Sequence, residues 1–303
     1  MPSESQKGHL AAITANVIFG LNMVVTKSLF SANWLSPYGY AMTRVGFGCI
    51  VFWIIGFFLP KEKVPPGDKL IIALSGILGY VICQTSFTIA LRITTPVTMS
   101  LISGLSPIIV MLFAAFFLSE GLSLKKTLGV IMGISGAALV VLNTTGDDFS
   151  VSSALGIGIA LFSVTCYSIQ VIIMRKVSGR YSAVTMVKWM FLAAFLVFAP
   201  FTFYELPRQR LFSSEAQFLP IMQFLYTLIL ACLIAFILLP VSLKRIKATT
   251  ASMYINLQPL VASVAAILIG QDIFSWDKPL ALILIVGGVF IVTQSRGTRN
   301  ESK

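Results

Sequence analysis

The sequence predicts an all-α integral membrane protein whose ten transmembrane helices form two inverted-topology repeats of five. Three observations predict this fold: the composition, the spacing of the apolar segments and a match between the two halves of the chain. Of the 303 residues, 57% are hydrophobic and 11% are charged, and the mean hydropathy is +0.91. A soluble domain carries about 25% charged residues. The composition therefore excludes a water-soluble enzyme.

Ten apolar segments account for nearly the whole chain. Each is close to the roughly 20 residues that a helix needs to cross a bilayer. We expect the first segment to be retained, because it is too long for the apolar part of a signal peptide and no small-residue cleavage site follows it. Segments 1 to 10 lie at residues 9–29, 36–59, 69–91, 95–118, 124–142, 153–174, 182–203, 219–241, 249–270 and 276–294.

The Lys and Arg residues predict the orientation. If the N-terminus is cytoplasmic, 15 of the 22 cations lie on the cytoplasmic side and 5 on the outer side, while Arg44 and Lys188 fall within segments. Cations accumulate on the cytoplasmic side of such proteins. We therefore predict cytoplasmic N- and C-termini in a plasma membrane, of the bacterial inner-membrane type. The net charge of +11 is sparse and lies between apolar segments, which argues against a nucleic-acid partner.

The two halves of the chain resemble each other. Residues 90–142 align with residues 242–294 without gaps, and Pro107 then aligns with Pro259. We interpret residues 1–146 as one five-helix repeat and residues 147–303 as the second.

Because five is odd, the second repeat enters the membrane from the opposite side. The loop after segment 3 has one cation, Arg92, whereas the equivalent loop after segment 8 has Lys244, Arg245 and Lys247. Equivalent loops thus have opposite charge bias. Inverted repeats of this kind are typical of transporters that work by alternating access.

Several short motifs stand out within the segments, one of them in two copies. They are Phe19-Gly20-Leu21-Asn22, Arg44, Leu105-Ser106-Pro107, Ser119-Glu120-Gly121 with Gly129 to Gly136, and a second copy at Leu257-Gln258-Pro259 to Gln271-Asp272. These motifs resemble the drug/metabolite transporter superfamily, EamA type, over nearly the whole chain. The resemblance implies ten helices, cytoplasmic termini and a central cavity lined mainly by segments 1, 3, 4, 6, 8 and 9. It leaves the substrate open.

Polar side chains within the segments are the candidate substrate-binding residues, because a polar group in hydrocarbon is costly unless it faces the bundle interior or water. The alternatives are backbone hydrogen bonding or helix packing for a serine, plain core packing for a tyrosine, and snorkelling for the arginine. If Arg44 does not snorkel, we expect it to hold a carboxylate of the substrate. The candidates are Phe19, Asn22, Arg44, Tyr80, Gln84, Ser103, Tyr167, Gln170 and Asn256.

Pro107 and Pro259 are candidate hinges. Each removes one backbone hydrogen bond from the middle of its segment, which either bends the helix or frees a carbonyl for the cavity. Interrupted helices at matching positions of two repeats point to a binding site.

The cysteines, the histidine, the acids and the glycines argue against several kinds of site. The four cysteines lie in four different segments without a CxxC pair, so we interpret them as small apolar side chains. The one histidine is His9, so we predict no metal site and no cofactor. The acids Glu120 and Asp272 lie at segment ends, which gives proton coupling little support. Gly129 and Gly133 form a close-packing face, and we expect a monomer while leaving a dimer open.

These observations favour a secondary transporter in the lipid bilayer that exports a small organic metabolite such as an amino acid. We do not expect an enzyme, since an intramembrane enzyme needs a catalytic set at membrane depth. A channel is also disfavoured, because a pore shows rings of repeated polar groups.

Overall fold

The computed structural model consists of helices joined by short loops over the residues that it describes, which are 3–117, 124–144, 151–246, 251, 254–271, 274 and 276–294. No strand occurs among them. Six helices are long and apolar enough to cross a membrane, which agrees with the predicted all-α membrane class. These six are Glu4–Ser31, Pro37–Phe57, Pro66–Ile93, Ala154–Ser178, Ala183–Thr202 and Phe218–Arg245, and shorter apolar helices run over Thr98–Phe113, Tyr254–Leu268 and Pro279–Gly288.

The described α-helices follow the predicted segments closely, although several segments are divided. In chain order they are α1 (Glu4–Ser31), α2 (Pro37–Phe57), α3 (Pro66–Gly76), α4 (Gln84–Ile93), α5 (Pro96–Ser103), α6 (Ser106–Phe117), α7 (Leu124–Thr144), α8 (Val151–Ser178), α9 (Ala183–Glu205), α10 (Phe218–Tyr226), α11 (Ala235–Arg245), α12 (Leu257–Leu268) and α13 (Asp277–Gln294).

Helix starts carry the expected capping residues. Ser3 and Gln6 form a capping box at the start of α1, with Gln6 N donating to Ser3 Oγ at 3.2 Å and Ser3 N donating to Gln6 Oε1 at 2.7 Å. Ser36 caps α2, which has Pro37 in its first turn. Such residues satisfy amide groups that a helix start leaves without partners.

Two π-helical segments interrupt the predicted segments 3 and 8. Ile77–Cys83 joins α3 to α4, and Thr227–Ile234 joins α10 to α11. In a π-helix each amide bonds the carbonyl five residues back, and such turns are frequent at functional sites. The two π-helical segments begin 150 residues apart. They therefore occupy nearly equivalent positions in the two halves.

Segments 4 and 9, in which Pro107 and Pro259 predict an interrupted helix, are divided in the structure. The first breaks between Ser103 and Ser106, because Pro107 has no N–H for the Ser103 carbonyl. The Ser106 hydroxyl bonds that carbonyl instead, at 2.5 Å. In the second, a 3-10 turn at Tyr254–Asn256 directly precedes α12.

Helices of the first half pack mainly against helices of the second half. Helix α1 packs against α11 and α12, and α8 packs against α4 and α6. Helix α2 packs against α9, and α7 packs against α13. The outer surface is apolar: Phe57, Phe58, Phe116 and Leu268 are each more than three-quarters exposed. Large exposed apolar side chains of this kind suit a lipid-facing surface.

Glycines allow α7 and α13 to pack closely. A Cβ on Gly288 would lie 2.4 Å from the Gly129 carbonyl oxygen and 2.8 Å from the Gly133 nitrogen. The close-packing face predicted in segment 5 is therefore used within the chain.

A carboxylate from the loop before α3 meets the start of α9. Glu62 accepts hydrogen bonds from the Ser182 amide at 3.0 Å and from the Ser182 hydroxyl at 3.0 Å. Burial raises the pKa of Glu62, but hydrogen bonds from Thr185 and Ser182 outweigh it and hold the pKa below its usual value. The contact also places negative charge at a helix N-terminus, which is favourable.

Candidate functional site

A cavity of about 110 Å³ lies between the two halves of the chain. Its lining comes from both halves, since α1, α2, α4, α5, α8, α11 and the first π-helical segment all contribute side chains. Eight of the nine residues predicted from the sequence line it. They are Phe19, Asn22, Arg44, Tyr80, Gln84, Ser103, Tyr167 and Gln170.

Arg44 is the charged member of this lining and is almost fully buried, at 3% exposure. Its Nη1 donates to the Tyr40 hydroxyl at 3.2 Å. Asn22 Nδ2 and Thr26 Oγ1 donate to the same hydroxyl, at 3.1 and 2.9 Å. Tyr40 is therefore the centre of a buried polar cluster that joins α1 to α2. Tyr40 is not among the residues predicted from the sequence, although its spacing of four residues from Arg44 places both on one face of α2.

The second π-helical segment supplies another partner for Arg44. There the Ala235 amide bonds the Leu230 carbonyl, five residues back. In an α-helix it would bond the Ala231 carbonyl, four residues back. Arg44 Nη2 donates to the Ala231 carbonyl at 3.3 Å. The π-helical geometry thus exposes a backbone acceptor to the guanidinium. The Arg44 Nε is buried and has no hydrogen-bond partner.

The first π-helical segment lines the facing side of the cavity through Gly79, Tyr80 and Cys83. Gly79 leaves room for the Gln170 amide, because a Cβ there would overlap Gln170 Nε2 and displace that side chain. The Ser163 hydroxyl donates to the Cys83 carbonyl at 2.9 Å. These contacts join the segment to α8 and position the Gln170 amide at the cavity.

Aromatic rings form the apolar part of the lining. Tyr80 stacks on Phe236 with ring centroids 4.8 Å apart, and Phe19 approaches Phe236 at 5.6 Å. The Arg44 guanidinium carbon lies 5.3 Å from the Phe236 ring centroid. A cation over an aromatic face is attracted to the ring. Phe87 lines the cavity as well.

Ser103 and Asn256, the two predicted site residues in the divided segments, differ in whether they line the cavity. Ser103 lines the cavity, but its hydroxyl donates to the Met99 carbonyl one turn back at 2.8 Å. Asn256 is buried and does not line the cavity, whereas its neighbours Ile255 and Gln258 do. Gln258 Nε2 donates to Asn16 Oδ1 at 2.7 Å. The 3-10 turn before α12 changes the helical register, so sequence spacing did not identify Gln258.

The candidate hinges lie at corresponding places. Pro107 is the second residue of α6 and Pro259 is the third residue of α12, and both are buried. Both therefore follow a break in their segment. Glu120 and Asp272, predicted at segment ends, lie outside the described residues. Among the residues that are described, no group of three His, Cys, Asp or Glu side chains comes together as a metal site would require.

Comparison with known proteins indicates the family. The sequence profile of the family described as "EamA-like transporter family" matches residues 6–142 and 154–294. An "Uncharacterized transporter" from Methanothermobacter thermautotrophicus is 24% identical, over 94% of this chain and 85% of that protein. "Uncharacterized transporter YyaM" from Bacillus subtilis is 22% identical, over 87% and 84% of the two chains.

The fold also has a counterpart among solved structures. A crystal structure superposes with a TM-score of 0.66, over 93% of this chain and 98% of the other. The sequences are 19% identical, so the likeness concerns the fold alone.

Proposed function

We propose that this chain, which belongs to the EamA-like transporter family, is a secondary transporter that carries a small organic metabolite through the central cavity by alternating access. The observation that supports this most directly is the cavity between the two halves, where amides, phenols and one guanidinium converge among aromatic rings. Small-molecule sites combine a mostly apolar lining with a few placed polar groups. The amino acids expected from the sequence are one class of solute with suitable size and polarity.

Two inverted five-helix repeats, 1–146 and 147–303, would give this cavity its two access states. The packing supports such a relation, because α1 against α11 and α12 has its counterpart in α8 against α4 and α6. The nearly equivalent positions of the two π-helical segments support it too. Movement would centre on the helix breaks before Pro107 and Pro259, where backbone hydrogen bonds are already missing.

Transport by the purified protein in proteoliposomes tests the function. Saturable counterflow of a metabolite would support a carrier, whereas fast conductance would favour a channel. Asn22→Ala, Gln84→Ala and Gln170→Ala should each reduce counterflow, and Gln217→Ala, at an exposed site, is the matched control. Equal counterflow by all four variants and the wild type would contradict the site. A catalytic conversion of the solute, detected by mass spectrometry, would instead favour an enzyme.

The remaining proposals concern the setting of the protein. We propose a plasma-membrane exporter of bacterial inner-membrane type, with both termini cytoplasmic, as the Lys and Arg distribution favours. Reporter fusions at the two termini test the orientation, and solute-loaded proteoliposomes test the direction. We propose a monomer, because the Gly129, Gly133 and Gly288 face is occupied within the chain. Light scattering of the detergent-solubilised protein tests this.

A further inference from the structure

In the described part of the chain, the positive charge at the cavity, on Arg44, has only neutral hydrogen-bond partners. Nη1 of Arg44 donates to a phenol, Nη2 donates to a backbone carbonyl, and Nε has no partner. The ion pairs among the described residues join Lys7 or Arg245 to Glu4, Arg180 to Asp68 and Arg210 to Glu215. None of them involves Arg44. A buried cation without a counter-ion is strongly unfavourable.

Intramembrane cations normally pair with an opposite charge or with backbone carbonyls, and they mark the path of a substrate or ion. Arg44 has one such carbonyl, that of Ala231, which leaves its formal charge uncompensated. Among the described residues, the rest of the cavity lining consists of amides, hydroxyls, a thiol, small residues, and aliphatic and aromatic side chains, without Asp or Glu. The cavity therefore has a formal charge of +1 when empty. A bound monoanion brings this charge to zero.

A zwitterion would leave the charge at +1. Its carboxylate would compensate Arg44, but its ammonium group would be a second buried cation facing a lining without a carboxylate. A cation would raise the charge to +2. The electrostatics thus rank the three classes in the order anion, zwitterion, cation.

We propose, on the basis of the proposed transport function, that the substrate is a small organic monoanion: a carboxylate on an apolar body, without an ammonium group. The carboxylate binds the Arg44 guanidinium, where charge-assisted hydrogen bonds to a carboxylate are the strong kind. The apolar body lies against the rings of Phe19, Tyr80, Phe87 and Phe236, which line the same cavity. The proposed substrate therefore differs from the amino acid expected from the sequence, because it has the carboxylate but lacks the amine.

Molecules that differ in charge and share a body test the proposal. One series is 3-phenylpropionate, phenylalanine and phenethylamine, and the other is 4-methylpentanoate, leucine and isopentylamine. Ligand-induced thermal stabilisation of the purified full-length protein measures binding, and counterflow in proteoliposomes measures transport. We expect a carboxylate without an amine to bind at least about 10-fold more tightly than its amino acid. A 10-fold difference in affinity is close to the lower end of what one hydrogen bond to a charged group contributes. The amino acid is expected to lose at least this much, because its ammonium group is repelled by Arg44.

Arg44→Gln should remove the preference for the anion, and Arg44→Lys should retain part of it. Arg208→Gln, at an exposed position, is the matched control and should keep the full preference. If Arg44→Gln does not fold, the two charge series on the wild-type protein still decide the question.

The possible outcomes separate the two proposals. Binding of an amino acid or an amine as tight as that of the matching carboxylate would overturn the anion inference and leave the transporter intact. Failure of all six molecules to bind would overturn it as well. Binding of the carboxylates without counterflow of any bound molecule would support the anion site and contradict the transport function.

Discussion

Tyr40→Phe removes a single oxygen atom from the centre of the buried cluster between α1 and α2. The tyrosine is fully buried, so the ring stays packed while the donors on Asn22, Thr26 and Arg44 lose the hydroxyl oxygen that they share. A hydroxyl oxygen accepts about two hydrogen bonds at a time. The bonds from Asn22 and Thr26 join α1 to α2, and hydrogen bonds between membrane helices average about 0.6 kcal/mol each, which gives a lower bound of roughly 1 kcal/mol. About two buried donors are left without a partner, and at about 1–3 kcal/mol each they give an expected loss of unfolding free energy of about 2–6 kcal/mol.

The assay uses cysteines that the fold already buries. Cys49, Cys83, Cys166 and Cys232 are free and buried, so a thiol-reactive dye reports unfolding when the detergent-solubilised protein is heated. We expect Tyr40→Phe to melt several degrees below the wild type. The control is a second tyrosine on the same helix, Tyr38, which is 49% exposed, and Tyr38→Phe should melt with the wild type. Equal melting of both variants and the wild type would refute the stabilising role of the cluster.

Three further perturbations have defined outcomes. Gly76→Ala places a Cβ 2.4 Å from the Met190 carbonyl oxygen and should lower the free energy of unfolding by about 1–3 kcal/mol. Gly158 has open space around it, so Gly158→Ala should raise the free energy of unfolding by up to about 1 kcal/mol. Thermal unfolding of the two variants distinguishes the opposite signs. Because the pKa of Glu62 is depressed in the folded protein, its carboxylate stabilises fully at neutral pH and less as the pH falls below about 4.5. The melting difference between the wild type and Glu62→Gln should therefore shrink on acidification, and a constant difference from pH 7 to pH 3 would contradict this. Pro107→Ala restores an amide at the break and should slow counterflow while raising the melting temperature; unchanged counterflow would remove the hinge role.

The cavity lining could be predicted from sequence because hydrocarbon makes polar burial costly. Asn22, Gln84 and Gln170 are amides within apolar segments, and such groups must face the bundle interior. The same argument applied to Arg44, whose burial the structure shows. That these residues bind a substrate stays a prediction.

The parts that sequence reasoning missed depend on backbone geometry. In a π-helix each amide bonds the carbonyl five residues back, and in an α-helix it bonds the carbonyl four residues back. An apolar sequence such as Ile77–Cys83 is compatible with either hydrogen-bond pattern. The break at the start of α12 shifts the register, so that Gln258 faces the cavity where Asn256 was expected. Pro259 predicted an interruption in that segment but not the 3-10 turn that precedes it.

The π-helical segments also affect how the chain tolerates changes in length. A π-helical turn accommodates one additional residue within an α-helix while the flanking turns keep their faces. Deletion of one residue from Ile77–Cys83 would therefore relax the turn to α-helix and leave α3 and α4 in their present orientations. A deletion elsewhere in these helices would rotate all that follows by about 100°. The two π-helical segments are thus places where insertions and deletions during evolution could reshape the cavity without repacking the bundle.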